Sequence, residues 1–397
     1  MIAKSFSELR AYCEAENYKG WDPYDGLNST IFQAMPLKHW DLARLVLIQL
    51  CKRSPFNLRP LLRVPKQHNA KGVGLFLNGY CNLYRMAEQG DTRFGTLEQL
   101  RAKVDEVARL LISLQSKGYS GACWGYNFDW QARRLFLFPA HTPTVVATTF
   151  CASALFQAYE VTGNRLYLDT ALSSADFVLK NLHRTESKGG FILSYSPLPG
   201  NDTVYNASLL GAKLLSQCYR YTRNEEYKTV ARQIVSAACE GQAADGSWVY
   251  GLLPVQSWID SFHTGYNLDA MAHYARFCED SSFDDAMQRG LDFYLANFFL
   301  ADGTPKYYHN RTYPIDIHCP GQLWVSLSVM GRFQPHAALC RKVADWTLAN
   351  MQDSQGFFYY QLKRGVSSKI PYMRWSNAFM FNALSYYLLE THGKQTG

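Results

Sequence analysis

Apolar residues recur at i, i+3, i+4 and i+7 along most of the chain, the spacing that places them on one face of an α-helix. Six segments with this spacing carry many charged residues on the opposite face, so we predict outer helices with one side in water. These segments span 38–53, 97–117, 165–183, 225–241, 281–298 and 336–352.

Six further segments alternate with them and are poor in charge but rich in Ala, Gly, Leu, Phe and Tyr, which indicates burial on most sides. Small residues within them, such as Gly72, Gly74, Gly211 and Ala212, allow helices to pack closely. The six segments span 68–86, 143–161, 203–220, 263–277, 318–331 and 375–390. We therefore predict an inner layer of six helices.

The alternation repeats at a period of roughly 55 residues, and a repeat of this kind is typical of closed or stacked helical arrays. It predicts an all-α fold, an (α/α)6 toroid of six helical hairpins, with an open helical solenoid as the alternative. We expect a single domain over residues 1–397. Residues 1–37 are expected to pack on the face that carries the long connections, which we call the funnel face.

The connections from outer to inner helices share a glycine followed by aromatic residues. They contain Gly121, Gly190, Gly246, Gly303 and Gly356. In a toroid all of these connections lie on one face, so their aromatic rings should gather there. The other connections, such as 162–164 and 222–224, are short turns, and the opposite face is predicted to be plain.

The composition adds a hint about function, because aromatic residues make up 15% of the chain, with 26 Tyr, 23 Phe and 9 Trp. Helix cores need fewer rings, and surplus rings in a cleft can stack on the apolar faces of sugars. The formal net charge is +7 without a Lys/Arg run, so the basicity looks diffuse and a nucleic-acid partner is not expected. An acidic glycan would fit this charge, as would plain solubility.

The ten cysteines stand singly, with no Cys-x-x-Cys pair, and are expected to be buried free thiols. The first ten residues carry charges where a signal peptide needs an apolar core, and no run of 18 apolar residues occurs. We therefore expect a cytoplasmic protein without a membrane span.

Phosphate-loop, dinucleotide-binding and His-Glu-x-x-His motifs are all missing, so no organic cofactor and no metal are expected, although calcium stays open.

The strongest chemical signal is a polar cluster at the start of the fourth inner segment. Asp260 precedes His263, which shares a helix face with Tyr266 and Asn267. The next inner segment begins with a second pair, Asp316 and His318. Two Asp/His pairs at neighbouring helix entries predict a catalytic group at the funnel, whereas a helix cap is the structural alternative for Asp260.

Three other clusters mix aromatic with hydrogen-bonding residues, as sugar subsites do. We predict that they bind substrate, with turn formation as the alternative for the two N-terminal aspartates. The residues are Asp22, Tyr24 and Asp25, then Trp124, Asp129 and Trp130, and finally Tyr372, Arg374 and Trp375.

The alternation, which covers nearly the whole chain, resembles the group of six-hairpin glycosidases, polysaccharide lyases and sugar epimerases. The segment 318–324, His-Cys-Pro-Gly-Gln-Leu-Trp, is similar to the Arg-Gly-Gln-x-Trp segment of unsaturated glucuronyl hydrolases, without its arginine. Its first residues are also similar to the His-Pro-Gly stretch of N-acylglucosamine 2-epimerases. The resemblance implies that the long loops and the starts of the inner helices line a funnel where a glycan binds.

Three functions fit these residues. The first is hydrolysis of a glycan, expected to contain uronic acids, with Asp260 and Asp316 as the acid/base pair. The second is elimination from, or C5 epimerisation of, a uronate by His263, Tyr266, His318 and Arg374. The third is a toroid that binds a glycan or a protein without catalysis. The oligomeric state is left open.

Overall fold

The computed structural model describes residues 1–131 and 137–392, and most of them are helical. The α-helices are α1 (Ile2–Ala15), α2 (Thr30–Gln33), α3 (Asp41–Arg53), α4 (Ala70–Glu88), α5 (Leu97–Ser113), α6 (Val145–Thr162), α7 (Arg165–Asn181), α8 (Tyr205–Thr222), α9 (Glu225–Glu240), α10 (Ser261–Cys278), α11 (Asp284–Phe298), α12 (His318–Val329), α13 (Ala337–Met351) and α14 (Phe379–Thr391).

A π-helical turn over Met373–Ala378 leads into α14, and four short 3-10 helices cover Asp25–Asn28, Pro36–His39, Pro254–Gln256 and Gln334–His336. The strands form three antiparallel two-stranded ribbons. They are β1 (Trp130–Gln131) with β2 (Leu137–Phe138), β3 (Arg184–Ser187) with β4 (Gly190–Leu193), and β5 (Ile315–Asp316) with β6 (Gln361–Leu362).

Six helices form a closed inner ring, which confirms the predicted (α/α)6 toroid. Each of α4, α6, α8, α10 and α12 packs against the next, and α14 packs back against α4. Glycines permit close approach inside the ring, since a Cβ on Gly79 would lie 2.5 Å from the Phe381 ring. The inner helices are buried almost all round, as their low charge predicted.

Five outer helices, α5, α7, α9, α11 and α13, lie where the sequence places them, each against its inner partner. The sixth outer position is taken by α1, which packs against α14 and buries Phe6, Leu9 and Cys13. The prediction that 38–53 is an outer helix was therefore wrong in position. This segment does form a helix, α3, but it packs against the 3-10 helix at 25–28 and against β1 on the funnel face.

The five connection glycines make one repeated contact that determines how neighbouring hairpins fit together. All five have a positive φ, and a Cβ at any of them would lie 1.9 to 2.5 Å from a backbone oxygen of the next outer helix. The contacts pair Gly121 with Ser173, Gly190 with Gln233, Gly246 with Arg289, Gly303 with Lys342, and Gly356 with Glu8. The last of these shows that α1 continues the outer ring after α13.

The connections on the opposite face are short turns, as predicted. Gly163 ends α6 in the left-handed conformation with φ of 72°, and its N–H donates to the Tyr159 carbonyl. Asn164 then caps α7 by accepting a hydrogen bond from the Leu166 N–H at 3.1 Å.

Two features bear on environment. Within residues 1–131 and 137–392, none of the helices combines the length and the hydropathy that a membrane crossing needs. The ten cysteines carry free thiols, nine of them buried and Cys239 partly buried.

The glycine contact predicts a stability difference between two Gly→Ala variants. Both Gly246 and Gly163 have a positive φ. A Cβ added at Gly246 would lie 2.3 Å from the Arg289 carbonyl oxygen, whereas a Cβ added at Gly163 would meet no atom within 4 Å. We expect Gly163→Ala to lower the free energy of unfolding by about 1 kcal/mol through backbone strain alone. Gly246→Ala should lower it by about 3 kcal/mol or more. Urea unfolding measures both, and equal losses would show that the close contact is unimportant.

Candidate active site

The funnel face opens into a central cavity of about 430 Å³ at the starts of the inner helices. Its wall is rich in aromatic rings, which come largely from the glycine-containing connections as the sequence predicted. The ring-bearing wall residues are Tyr24, Tyr126, Phe128, Trp130, Phe138, Tyr195, Tyr250, Trp258, Phe262, Tyr266, Tyr307, Tyr308 and Trp375. A cavity of this size and composition can hold a small saccharide segment.

His263 reaches the cavity wall from the first turn of α10, with Asp260 directly behind it. The Nδ1 atom of His263 lies 2.7 Å from Asp260 Oδ2, which also accepts a hydrogen bond from Trp258 Nε1 at 3.0 Å. The other carboxylate oxygen caps α10 by accepting the His263 backbone N–H at 3.0 Å. Asp260 is thus fully occupied and orients the His263 ring, whose far side faces the cavity.

His318 reaches the same wall from the start of α12, and Asp316 on β5 supports it. Asp316 Oδ1 lies 3.4 Å from His318 Nδ1 and accepts hydrogen bonds from the His318 backbone N–H and from Trp375 Nε1, both at 3.0 Å. Gln361 on β6 donates to the other oxygen at 3.1 Å. Burial lowers the pKa of His318 to about 4, although Asp316 opposes the shift, so the imidazole is neutral near pH 7.

The two histidines are neighbours across one aromatic ring. The centroid of Phe262 lies 4.1 Å from that of His263 and 5.0 Å from that of His318. Both histidines line the cavity, whereas Asp260 and Asp316 have no exposed side-chain surface and stand behind them. In the part of the chain that the structure describes, the cavity wall contains no carboxylate side chain.

Lys71 in the first turn of α4 is a cavity residue that the sequence analysis missed. Its Nζ lies 4.1 Å from the ring centroid of Phe150, 4.9 Å from that of Phe379 and 5.2 Å from that of Tyr266. Burial and then the nearby Arg374 lower its pKa well below the usual lysine value. The available signal was a single lysine within an apolar inner segment, where a charged residue is unusual.

Lys71 shares an aromatic neighbour with each of the two histidines. Tyr266 contacts both Lys71 and His263, with a ring distance of 5.9 Å to the histidine. Phe379 contacts both Lys71 and His318, with a ring distance of 3.7 Å to the histidine. Among the described residues, the buried Tyr266 hydroxyl has no hydrogen-bond partner, and neither has the Asn206 amide nitrogen, which also lies on the wall. These groups are available to a ligand.

The predicted N-terminal cluster is joined to the start of the last inner helix by a buried ion-pair network. Arg374 donates to both oxygens of Asp22, at 2.6 and 2.8 Å. Arg59 donates to Asp25 at 2.6 Å and to the Tyr372 hydroxyl at 2.9 Å. Arg374 also lines the cavity, but Asp22, Asp25 and Tyr372 are buried around it and support the wall from behind.

Pairs of rings on the wall form flat platforms. Tyr250 stacks on Trp258 with centroids 4.4 Å apart, and Trp130 stacks on Phe138 at 5.1 Å. Tyr24 contacts Trp375 at 5.8 Å. Of the predicted binding residues, Tyr24, Trp130, Tyr266, Arg374 and Trp375 therefore lie on the wall.

Besides Asp22, Asp25 and Tyr372, three more predicted binding residues lie off the wall. Trp124 is fully buried and donates to the Leu111 carbonyl, which fastens its connection to α5. Asp129 accepts the Ala140 N–H at 2.7 Å and shapes the same connection. Asn267 is buried within α10 and does not reach the cavity wall.

The described residues contain no cluster of three or more His, Cys, Asp or Glu side chains that could hold a metal ion. Asp260 holds the His263 ring by a hydrogen bond, whereas the buried His318 Nδ1, 3.4 Å from Asp316 Oδ1, has no hydrogen-bond partner among the described residues. The two histidines can exchange protons with a bound molecule, and Lys71 can bind a negatively charged group.

Several solved structures share this architecture. Cellobiose 2-epimerase from Bacillus thermoamylovorans B4167 superposes with a TM-score of 0.63 at 13% identity, over 83% of this chain and 90% of the other. The GH76 α-mannanase of Bacteroides thetaiotaomicron gives 0.58 at 13% identity, over 80% and 86%. An unsaturated glucuronyl hydrolase specific for heparin gives 0.57 at 12% identity, over 80% and 85%.

The chain therefore has the fold of the (α/α)6 toroid group to which these carbohydrate-active proteins belong, as the resemblance implied. No protein-family model matches the chain, and no curated protein matches it in sequence.

The depressed pKa of His318 predicts how stability depends on pH. The folded protein binds the proton on His318 only near pH 4, whereas the unfolded chain binds it near pH 6.5. Stability from this group is therefore complete above pH 6.5 and is lost as pH falls towards 4, by about 3 kcal/mol. Replacing His318→Gln should reduce the loss of unfolding free energy between pH 7 and 4 by about this amount, measured by urea unfolding.

The matched control is His183→Gln, which changes an exposed histidine away from the cavity. This variant should lose as much unfolding free energy between pH 7 and pH 4 as the wild type does. An unchanged difference in His318→Gln would mean that His318 titrates alike in the folded and unfolded protein.

Proposed function

We propose that this protein is a carbohydrate-active enzyme that moves a proton at the carbon next to the carboxylate of an acidic sugar. Its products would be the C5 epimer of a uronate or the unsaturated sugar left by elimination. One observation carries the proposal: the cavity wall combines two histidines backed by aspartates with an unpaired lysine, and its described residues include no carboxylate.

The histidines suit proton transfer at carbon. Asp260 fixes the ring of His263, so that the other ring nitrogen is presented to the cavity. Burial keeps His318 neutral with a pKa of about 4, and the negative charge of a bound substrate carboxylate would raise that pKa and make the ring a better proton acceptor. Epimerisation requires a neutral histidine as the base and a protonated histidine as the acid, and the two rings on one wall can take these two roles.

The cations suit an acidic substrate. Removing the C5 proton of a uronate places charge on its carboxylate, which a nearby cation must neutralise. Arg374 is already paired with Asp22. Lys71 has no carboxylate partner among the described residues, so a substrate carboxylate would be its counter-ion and would favour the ammonium form.

In epimerisation, one histidine removes the C5 proton, and the electron pair of that bond forms an enolate with the carboxylate held by Lys71. The second histidine, which must enter the step as the imidazolium, then donates a proton to the opposite face of C5 and becomes neutral, while the first histidine is left as the imidazolium. In elimination, the same first step is followed by cleavage of the C4–O bond. The second histidine gives its proton to the departing oxygen.

Hydrolysis by Asp260 and Asp316 has less support. A glycosidase needs both carboxyl groups beside the scissile bond, with one of them free to donate a proton. Here both are buried behind histidines and accept several hydrogen bonds. A non-catalytic scaffold would need the stacked rings but not the two supported histidines.

The structural neighbours include both an epimerase and hydrolases of sugars, so they support a carbohydrate-active enzyme of either reaction type. Cellobiose 2-epimerase changes the configuration at C2 of a sugar, which is also a carbon beside a carbonyl group. The heparin-specific hydrolase acts on a substrate with a glucuronyl group. At these identities the fold alone is shared, so the support comes from the cavity itself.

The test is to incubate the protein with uronate-containing oligosaccharides in deuterium oxide and follow three signals. Deuterium at C5 without cleavage indicates epimerisation, and new ends with an ultraviolet-absorbing unsaturated uronate indicate elimination. New reducing ends without absorbance indicate hydrolysis. We expect the first or second signal, and His263→Gln should lower its rate by about 10²–10⁴-fold because a positioned acid/base is lost.

His183→Gln, outside the cavity, should leave the rate unchanged. Hydrolysis as the sole signal would contradict the proposed chemistry. Binding without any of the three signals across the panel would favour the scaffold.

A second experiment tests the partner of Lys71. Replacing Lys71→Met keeps the length and apolar packing of the side chain but removes its charge. We expect the catalytic efficiency on the uronate substrate to fall by at least about 10²-fold. Uronates should bind more weakly to the variant, whereas the corresponding carboxyl-reduced sugars should bind as they do to the wild type. Calorimetric titration of the two ligand types measures this, and equal losses for both would show that Lys71 does not bind the carboxylate.

A further inference from the structure

The segment that follows α1 exposes an unusual amount of apolar surface. Half of the eighteen large apolar side chains that the described residues expose fall within residues 31–61. They are Ile31, Met35, Leu37, Trp40, Leu42, Val46, Leu50, Phe56 and Leu61. We call them the apolar patch. Soluble proteins usually expose such residues singly, so a concentration of this kind marks an interaction surface.

The same segment also holds most of the net charge of the protein. Residues 31–66 include seven Lys or Arg and one Asp. The whole chain has 40 Lys or Arg and 33 Asp or Glu. The remainder therefore has 33 basic and 32 acidic residues and is nearly neutral. The basicity that looks diffuse in the sequence as a whole is thus concentrated in one segment. Lys38, Arg53 and Arg63 have no carboxylate partner among the described residues.

The segment is firmly attached to the toroid, so its exposed residues form a fixed surface. Arg59 is buried against Asp25, and the Ser29 hydroxyl donates to the Leu62 carbonyl at 2.6 Å. On α3, Leu42, Val46 and Leu50 follow one another at i+4 and form an outward stripe. These apolar side chains stay exposed although the backbone that carries them is ordered by the fold.

The patch lies beside the cavity mouth. Gln49 and Lys52, which lie between and just after the stripe residues on α3, line the cavity. Whatever covers the outward stripe would therefore lie next to the entrance used by a substrate.

We propose that this surface docks on an anionic lipid bilayer, with the apolar patch in the interface and the basic residues among the headgroups. An amphipathic surface that combines aromatic and aliphatic side chains with Lys and Arg is what such binding requires. A second copy of the chain fits poorly, because a symmetric contact would bring two equally basic segments together.

The experiment is flotation of the full chain with vesicles of phosphatidylcholine alone or with 30% phosphatidylglycerol, roughly the anionic fraction that electrostatic docking needs. We expect binding to the anionic vesicles that weakens as salt is raised and little binding to the neutral ones. Val46→Glu with Leu50→Glu should weaken it about tenfold or more, and Arg53→Gln about fivefold. Leu166→Glu, an equally exposed leucine on α7, should bind as the wild type does.

These side chains are exposed, so the variants should keep the wild-type melting temperature, which separates loss of binding from loss of folding. The proposal is overturned if anionic vesicles bind no better than neutral ones, or if the double variant binds as well as the wild type. It is also overturned if light scattering shows a dimer that Val46→Glu dissociates, because the patch would then be covered by a second copy.

Discussion

The close contact between each connection glycine and the next outer helix is the constraint on which the site depends. It fixes the point at which five of the six connections leave the outer ring, and aromatic residues follow each of these glycines along the chain within a few positions. Tyr126, Tyr250 and Tyr307 therefore reach the cavity from different repeats. One backbone contact, repeated around the ring, thus places aromatic residues from several repeats on the wall of one cavity.

Desolvation gives this wall its chemistry. Burial keeps His318 neutral and lowers the pKa of Lys71. Arg374 stays charged because the Asp22 carboxylate is its counter-ion. The aspartates that sequence reasoning assigned to catalysis act through their neighbours. Their oxygens are directed to backbone N–H groups and to the histidine and tryptophan rings.

Much of the fold could be predicted because helical periodicity and charge separate the two layers. The sixth outer helix was the exception, since α1 pairs with α14 across the whole chain and periodicity does not reveal such a partner. The two histidines could be placed at the cavity from their positions at helix starts. The depth of Asp260 and the position of Lys71 could not, because cap geometry and ring packing decide them.

The contacts between the N-terminal segment and the last repeat also order the events of biosynthesis. Asp22 meets Arg374 across 352 positions, and Gln352 donates to the Ser5 carbonyl across 347. Contacts so distant in the chain form late, because both partners must first be synthesised and a long loop must close. The wall around Arg374 can therefore assemble only after translation has passed the final inner helix, which leaves the growing chain without a complete site until then.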